Sequence, residues 1–516
     1  MDPNISGTHA FVFPPCLSTN KSTRPRVIRT PNASIYNLDD DSLLHVFNLC
    51  RPNLFEGPER GLARWTNFAR ESWWYELVKV CRAWRYLILG SASHLGLCLV
   101  CSPGTPVAEM LTHSPPFPLI INHDLDNHDL TPEDERGIMF ALEHRDRVRR
   151  IFLKMPVPNW QKVIKAIDDQ FPMLEYLYIA PPFGHNARFV LPATFRAPEL
   201  NYLLLNRFTS TIGPSLTPAV NLVRLLLRWM HPSANLYPGH LLQTLSLLPR
   251  LQNLTISFSS PIPNHDIQRH MLHTSNISHV TLPNLRFFDF GGVSAYLEAL
   301  LSHINAPLLK TLSINFFNQL SFPVSHLGRF VTSTENIRPS IVRLLFYHKA
   351  VVVFMYFSVG SPEHTLYLRV GCNHLDWQVS SMAQIFNILN PLFSAVNLTL
   401  DYRSHTPSSE WRNQVDHTHW RKLLGSFRNV ETLRVHDGLV REVSRCLTLD
   451  GVVASEILPN LRTLICPMES CDDKTFARFV HDREVAGLPI NLIGYAFPAG
   501  DVGYTFETPA GVTYVR

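Results

Sequence analysis

Leu282-Pro283-Asn284-Leu285-Arg286-Phe287-Phe288-Asp289-Phe290 is followed 24 residues later by Ala306-Pro307-Leu308-Leu309-Lys310-Thr311-Leu312-Ser313-Ile314, one short design written twice. In each copy a proline stands two residues before the first position of a Leu-x-x-Leu-x-Leu pattern, with phenylalanine replacing two leucines in the first. Outward from this pair the pattern recurs as VRRIFL from Val148, LEYLYI from Leu174, LNYLLL from Leu200, LVRLLL from Leu222 and LQNLTI from Leu251. Further along come AVNLTL from Ala395, VETLRV from Val430 and LRTLIC from Leu461. Apolar residues make up 45% of the chain, so three apolar matches at fixed offsets arise by chance at roughly 47 places, and the strand pattern alone decides nothing. Proline decides it. Pro172, Pro198, Pro249, Pro283, Pro307 and Pro459 precede six of the ten instances, where 39 prolines in 516 residues would give fewer than one. Proline cannot continue a helix, and its missing N–H is tolerated at the start of a strand. Each unit therefore reads helix, stop, strand.

The intervening segments supply the helices. Trp160, Val163, Ile164 and Ile167 share one helical face, as do Val293, Leu297, Leu300, Leu301 and Ile304, and Met382, Ile385, Phe386 and Leu389. Strand-to-strand spacings run 26, 26, 22, 29, 34 and 24 residues through Leu309, then 86, 35 and 31. Such periods, with strand and helix alternating, predict an irregular leucine-rich-repeat solenoid over 146–498, an α/β architecture of parallel strands backed by helices. The long interval holds IVRLLFY, VVVFMYF and HTLYLRV, three strand-like runs that predict a β-meander insertion. No period extends past Pro498, and 499–516 read as a tail.

Ahead of the repeats the character changes. Residues 1–33 show no hydrophobic period and read as a flexible lead, and 34–97 read as an all-helical unit. Asp39 or Asp40 can cap a first helix whose Leu43, Val46, Phe47 and Cys50 share a face. A second helix carries Trp73, Leu77, Val80, Cys81, Trp84 and Ile88, with Gly90 placed to end it. Residues 51–62, with two prolines and two glycines, read as an inserted loop between them. Leu44, Trp74 and Val78 lie off the main stripes, so this small unit is expected to be covered by a neighbour or a partner. Residues 98–145 read as a linker with a first strand and cap region.

Composition excludes several function classes. Lys and Arg number 46 against 42 Asp and Glu, a net charge of +4 that marks neither a nucleic-acid nor a membrane partner. The first twenty residues lack the basic start and apolar run of a signal peptide. The most apolar stretch, 351–359, is far short of the roughly 20 residues of a membrane span and reads as buried strand. Nine cysteines at irregular spacings fit reduced thiols, and hence a cytoplasmic or nuclear protein.

On these residues the chain resembles the F-box proteins with degenerate leucine-rich repeats that are abundant in mushroom-forming fungi. The F-box half-motifs appear as Leu38, Asp41, Leu43, Leu44, Val46 and Phe47, then Lys79, Val80, Cys81, Arg82, Ala83, Trp84 and Arg85. The blocks SASHLGLCLVCSPGTPV and LDWQVSSMAQIFNILNPLF also look like recurring blocks of that group. Asp39 replaces the family's proline, and about 20 extra residues separate the half-motifs; a helix survives the first change because Asp is a good N-cap. The resemblance implies that the helices dock on a Skp-type adaptor, which joins the chain to a cullin–RING ubiquitin ligase, while the repeats hold a protein substrate. Carried over, the adaptor contacts are Leu38, Leu43, Leu44, Phe47, Val80, Cys81 and Trp84. The lesser alternative is that these residues are the core of a helical cap on the solenoid, and several can serve both purposes. Substrate contacts on a concave sheet would come from residues that alternate with the repeat leucines: Tyr176, Tyr178, Arg224, Arg228, Phe287, Asp289, Arg434 and His436.

No catalytic or cofactor motif competes with this reading. The 24 histidines invite a metal, and His123-Asp124-x-Asp126-x-His128-Asp129 or Asp416-His417-Thr418-His419 could donate ligands, yet neither has a recognised metal spacing. Cys98-x-x-Cys101 is a lone thiol pair in an apolar run, expected to be buried and free. The sequence therefore predicts a recognition protein without catalytic residues, cofactor or metal. Its rivals are an interaction scaffold without a ligase role, and a hydrolase or metal enzyme using the histidine-rich loops.

Overall fold

The computed structural model describes residues 35, 38–51, 72–124, 130–155, 157–181, 191–207, 219–232, 236–263, 267, 279–334, 339–356, 365–389, 395–402, 417–448, 456–467 and 476–495. The expected lead, the inserted loop beyond Arg51 and the tail lie outside them. The chain forms a first unit that ends at Leu200 and a second that begins at Asn201, with Leu191 counted in the second.

In the first unit, α1 (Asp40–Cys50), α2 (Trp74–Val80), α3 (Arg82–Gly90) and α4 (Ala92–Leu95) come before any strand. Then follow β1 (Leu99–Cys101), α5 (Val107–His113), β2 (Leu119–Asp124), α6 (Pro132–Glu143), β3 (Val148–Lys154), α7 (Val157–Ala166) and β4 (Tyr176–Ala180). The four strands are parallel neighbours in chain order, with Ile121 opposite Ile151 and Ile151 opposite Leu177. Parallel strands thus begin at Leu99, well ahead of residue 146. The sequence hides them because β1 is three residues long and β2 ends in Asn-His-Asp.

Two helix expectations need correction. The expected second helix breaks at Cys81, which is extended (φ −157°, ψ 169°) and whose Sγ accepts from the Trp84 N–H at 3.4 Å to cap α3. Gly90 does not end it either, since it is the last residue of α3 and α4 follows directly. The left-handed glycine is Gly96 (φ 60°, ψ 40°), where an added Cβ would also crowd the Arg51 guanidinium at 3.1 Å. As expected, Asp39 caps α1, its Oδ1 accepting from the Ser42 N–H at 2.7 Å.

His123 in β2 is 1% exposed, and among the described residues neither of its ring nitrogens has a hydrogen-bond partner. Burial lowers its pKa to about 4, against the pull of Asp134. Burial alone would raise the Asp134 carboxyl, but bonds from the Thr131 hydroxyl and the Gly104 N–H, with His123 nearby, hold it below the usual range. An unfolded histidine takes its proton near pH 6.5, whereas the native one waits until about pH 4. Stability is therefore lost as pH falls through that window, by on the order of 3 kcal/mol at most. Asp134 adds further loss in the same direction. Urea midpoints at pH 7 and pH 5 should differ clearly less in His123→Leu than in the wild type.

In the second unit, β5 (Tyr202–Asn206), β6 (Arg224–Met230), α8 (Pro238–Ser246), β7 (Asn253–Phe258), β8 (Val280–Thr281) and β9 (Phe287–Gly292) lead into α9 (Ser294–Leu301). Next are β10 (Ile304–Asn305), β11 (Thr311–Phe316), α10 (Ser325–Ser333), β12 (Ile341–Tyr347), β13 (Ala350–Tyr356), β14 (Leu366–Gly371) and α11 (Leu375–Leu389). The unit closes with β15 (Asn397–Tyr402), α12 (His417–Gly425), β16 (Thr432–Val435), α13 (Val440–Leu447), β17 (Thr463–Pro467), α14 (Ala477–Val485) and β18 (Asn491–Tyr495). The sheet order is β5-β6-β7-β9-β11-β14-β13-β12-β15-β16-β17-β18. All ten quoted patterns lie on strands of the two units. The predicted meander is β12-β13-β14: its internal pairs are antiparallel, while its outer strands run parallel to β15 and β11, so the array continues through it.

The prolines act one step earlier than the strand start. Leu174, Leu200, Leu251, Leu285, Leu309 and Leu461 each donate their N–H to the carbonyl three residues back. This closes a turn with proline in its second position, where a φ fixed near −65° fits. Adjacent turns are tied together, Asn284 Nδ2 donating to the Pro249 carbonyl at 2.9 Å and Asn460 Nδ2 to that of Arg428 at 3.0 Å.

The repeat leucines form the core. Leu254, Phe288, Leu312 and Leu366 stand opposite one another in adjacent strands, all fully buried. Helix aromatics cover this face: Tyr296 lies 4.8 Å from Phe258 and 6.0 Å from Phe290, and Trp420 lies 5.6 Å from Phe346. Ile304 is not on α9 as expected but pairs in β10 with β8, because the Pro307 turn leaves no room for another helical turn. Glu298 of α9, itself buried, accepts from the backbone N–H groups of His326 (2.7 Å) and Leu327 (2.8 Å) and the Ser325 hydroxyl (3.1 Å), so it caps α10 from a neighbouring repeat.

Among the described residues no helix is long and apolar enough to cross a membrane. The apolar run at 351 is the interior strand β13.

Candidate interaction surfaces

On the N-terminal helices the expected adaptor residues divide by burial. Leu43 and Phe47 point inward, and the Phe47 ring meets Trp84 edge-on with centroids 4.8 Å apart. Leu44, Cys81 and Trp84 are half-buried, Cys81 serving as the α3 cap. Trp74 is the largest of the buried side chains on these helices, its Nε1 donating to the Cys98 carbonyl at 3.3 Å and its ring packing on Phe117. Leu38 and Val80 instead face water, Val80 at 54% exposure. They are joined by Ile35, Leu49 and Tyr86, the last 79% exposed, none of which was singled out from sequence. The missed signal lay in the amphipathic period: once Phe47, Trp74 and Ile88 take the inner faces, Leu49 and Tyr86 have none left to occupy.

The expected substrate residues sit on the strand face opposite the helices, and their surroundings differ. Tyr176 and Tyr178 are buried, which departs from the expectation of exposed aromatics. Tyr178 stacks on Phe152 of the adjacent strand at 4.1 Å and 13°, so large rings on neighbouring strands remove each other from water. Arg224, Arg228 and Phe287 are half-buried. Asp289 faces Ser313, and burial holds its carboxyl above the usual range in spite of that hydrogen bond and of Arg228. Arg434 is exposed, with its guanidinium carbon 4.8 Å from the centre of the Tyr495 ring. His436 places Nδ1 3.5 Å from Asp401 Oδ1, and Asp401 pairs with Arg343 at 2.6 Å, so Arg434 and His436 border one polar cluster. Beside it lies an apolar cluster that the notation of repeats did not reveal, formed by Leu345, Val352, Phe354 and Tyr367 of the meander.

Neither family-level nor curated-protein comparison finds a match for this chain. Among solved structures, the chain is similar to the leucine-rich repeat-containing protein LegL7 from Legionella pneumophila, at 13% identity and a TM-score of 0.27, covering 70% of this chain and 96% of that one. It is also similar to an internalin (inlF) from Listeria monocytogenes, at 11% identity and a TM-score of 0.23, covering 70% and 95% respectively.

Among the described residues no group of three or more His, Cys, Asp and Glu comes together as a resident metal would require. His417 and His419 lie on α12, and residues 125–129 and Asp416 lie outside the described residues. Cys98 and Cys101 are buried thiols, the Cys98 Sγ donating to the Gly96 carbonyl at 3.7 Å, and burial pushes the Cys101 thiol up to about 12 against the pull of Arg147.

Proposed function

We propose that the chain is a recognition subunit whose N-terminal helices dock on a Skp-type adaptor of a cullin–RING ubiquitin ligase and whose repeats hold a protein substrate. The observation that supports it is the set of apolar side chains left in water on helices whose inner faces are already packed, Leu49, Val80 and Tyr86, with Leu38 just ahead of the first. Exposed apolar groups on so small a unit mark an interaction surface. Val80 also belongs to the sharper F-box half-motif, Lys79 to Arg85. No group of the chain takes a catalytic role in this reading.

A second reading, an interaction scaffold without a ligase role, draws on Leu43, Phe47 and Trp84 being packed against their own unit. Capture of the full-length chain by the adaptor separates the two. The informative variant is Leu38→Asp with Val80→Asp, because both side chains already face water and the fold survives, whereas Leu43→Asp would bury a charge. Capture by the wild type should fall by roughly thirtyfold or more in the double variant. A folded wild type that captures no adaptor leaves the scaffold reading in its place.

A further inference from the structure

Two histidines stand at the same place in successive repeats. His279 and His303 each lie six residues ahead of the first leucine of the pattern, Leu285 and Leu309, so the 24-residue period of these strands separates them too. Each directly precedes a strand of the two-stranded parallel sheet, β8 and β10, in which Val280 stands opposite Ile304 and Thr281 opposite Asn305. The Val280 N–H donates to the His303 carbonyl at 2.7 Å, so the pairing reaches the histidines and holds their backbones about one strand spacing apart. Stacked repeats line up equivalent side chains. The two imidazoles accordingly meet, with ring centres 5.9 Å apart and planes tilted by 35°. His279 is exposed and His303 half-buried.

The hydrogen bonds around His303 select its tautomer. Its Nδ1 lies 2.7 Å from the Ser302 hydroxyl and 3.4 Å from the Ala299 carbonyl, while that hydroxyl donates its own proton to the same carbonyl at 2.9 Å. Both neighbours of Nδ1 therefore accept, and Nδ1 carries the proton. Nε2 keeps its lone pair, which is the form that ligates a metal, and a ligating histidine gives its other N–H to a carbonyl or a comparable acceptor in this way. Among the described residues no hydrogen bond or ion pair engages His303 Nε2 or the His279 ring. A zinc–nitrogen bond is about 2.0–2.1 Å, which puts the centres of two imidazoles on one ion about 5.2 Å apart at the tetrahedral angle and about 6.4 Å apart when opposed. The observed 5.9 Å falls between these limits.

We propose that His279 and His303 chelate a divalent transition-metal ion of the zinc and copper class, with water completing its shell, and so staple two neighbouring repeats. Imidazole suits these ions and not magnesium or calcium. Two side chains fall short of the three-ligand set of a catalytic zinc, so the ion binds reversibly and acts by strengthening the interface between repeats. The site is independent of the adaptor surface. The probe is the zinc ion alone, added to the full-length chain and followed by hydrogen exchange. Zinc should slow exchange at least fivefold at Val280 and Leu282, whose N–H groups bond to the carbonyls of His303 and Asn305. His279→Ala changes an exposed side chain and leaves the fold intact, yet it should abolish this protection, as should His303→Gln. Magnesium should give none. Equilibrium dialysis should show each variant binding one zinc ion fewer than the wild type, which sets this pair apart from the rest of the 24 histidines. No zinc-dependent protection in the wild type, protection that survives in both variants, or equal zinc stoichiometry in the three proteins would overturn the site.

Discussion

Phe290→Ala is expected to lower the free energy of unfolding by about 3–5 kcal/mol. Phe290 is fully buried between Ile256 and Ile314 of the flanking strands and reaches both Tyr296 and Phe258. The site has little freedom to close over a cavity, because the surrounding chain is fitted to the ring. A Cβ added to Gly292 would come within 2.8 Å of Phe290 Cζ, so the glycine is there to admit the phenylalanine. Phe290→Leu keeps most of the volume and should cost less than half as much. Equilibrium urea unfolding of the three proteins at 25 °C measures the series. A loss below 1 kcal/mol in the alanine variant would mean that the repeats are not packed around this row.

Glu298→Ala carries the second large effect, a loss of about 2–4 kcal/mol. Its carboxylate serves two backbone N–H groups and one hydroxyl at the start of α10, and Val324, the residue at the cap position, has no side-chain bond to offer in its place. A negative charge at a helix N-terminus is favourable in itself. Removing it leaves the N–H groups of His326 and Leu327 without acceptors. Glu298→Gln retains one acceptor oxygen and should lose roughly half as much. Because α9 and α10 belong to successive repeats, the alanine variant should also reduce hydrogen-exchange protection in β11, while β16 and β17 keep theirs. Uniform loss along the chain would contradict such a nearest-neighbour arrangement.

The repeats were legible because two independent signals coincide, the leucine spacing and the proline two residues ahead of it. Four strands, those read from Val148, Leu222, Ala395 and Val430, were legible on the leucine spacing alone, but β1 is too short to show a period, and β18 follows Pro489 without the leading leucine. The meander was legible from its unbroken β-branched and aromatic runs. The break at Cys81 was not, because the helical period of apolar residues runs through it and a thiol standing in as a cap has no pattern of its own. For the sites, sequence supplied the strand face but not its exposure. Alternation places Tyr178 and Arg434 on equivalent positions, yet Tyr178 lies under a neighbouring ring while Arg434 lies over one at the surface.

Adaptor docking is tested most directly by the mass in solution of the full-length chain mixed with an equal amount of the Skp-type adaptor, measured by light scattering on a sizing column. The expected result is a single species whose mass equals one chain plus one adaptor, and its disappearance in the Leu38→Asp, Val80→Asp variant. Two separate peaks from a folded wild type would contradict it.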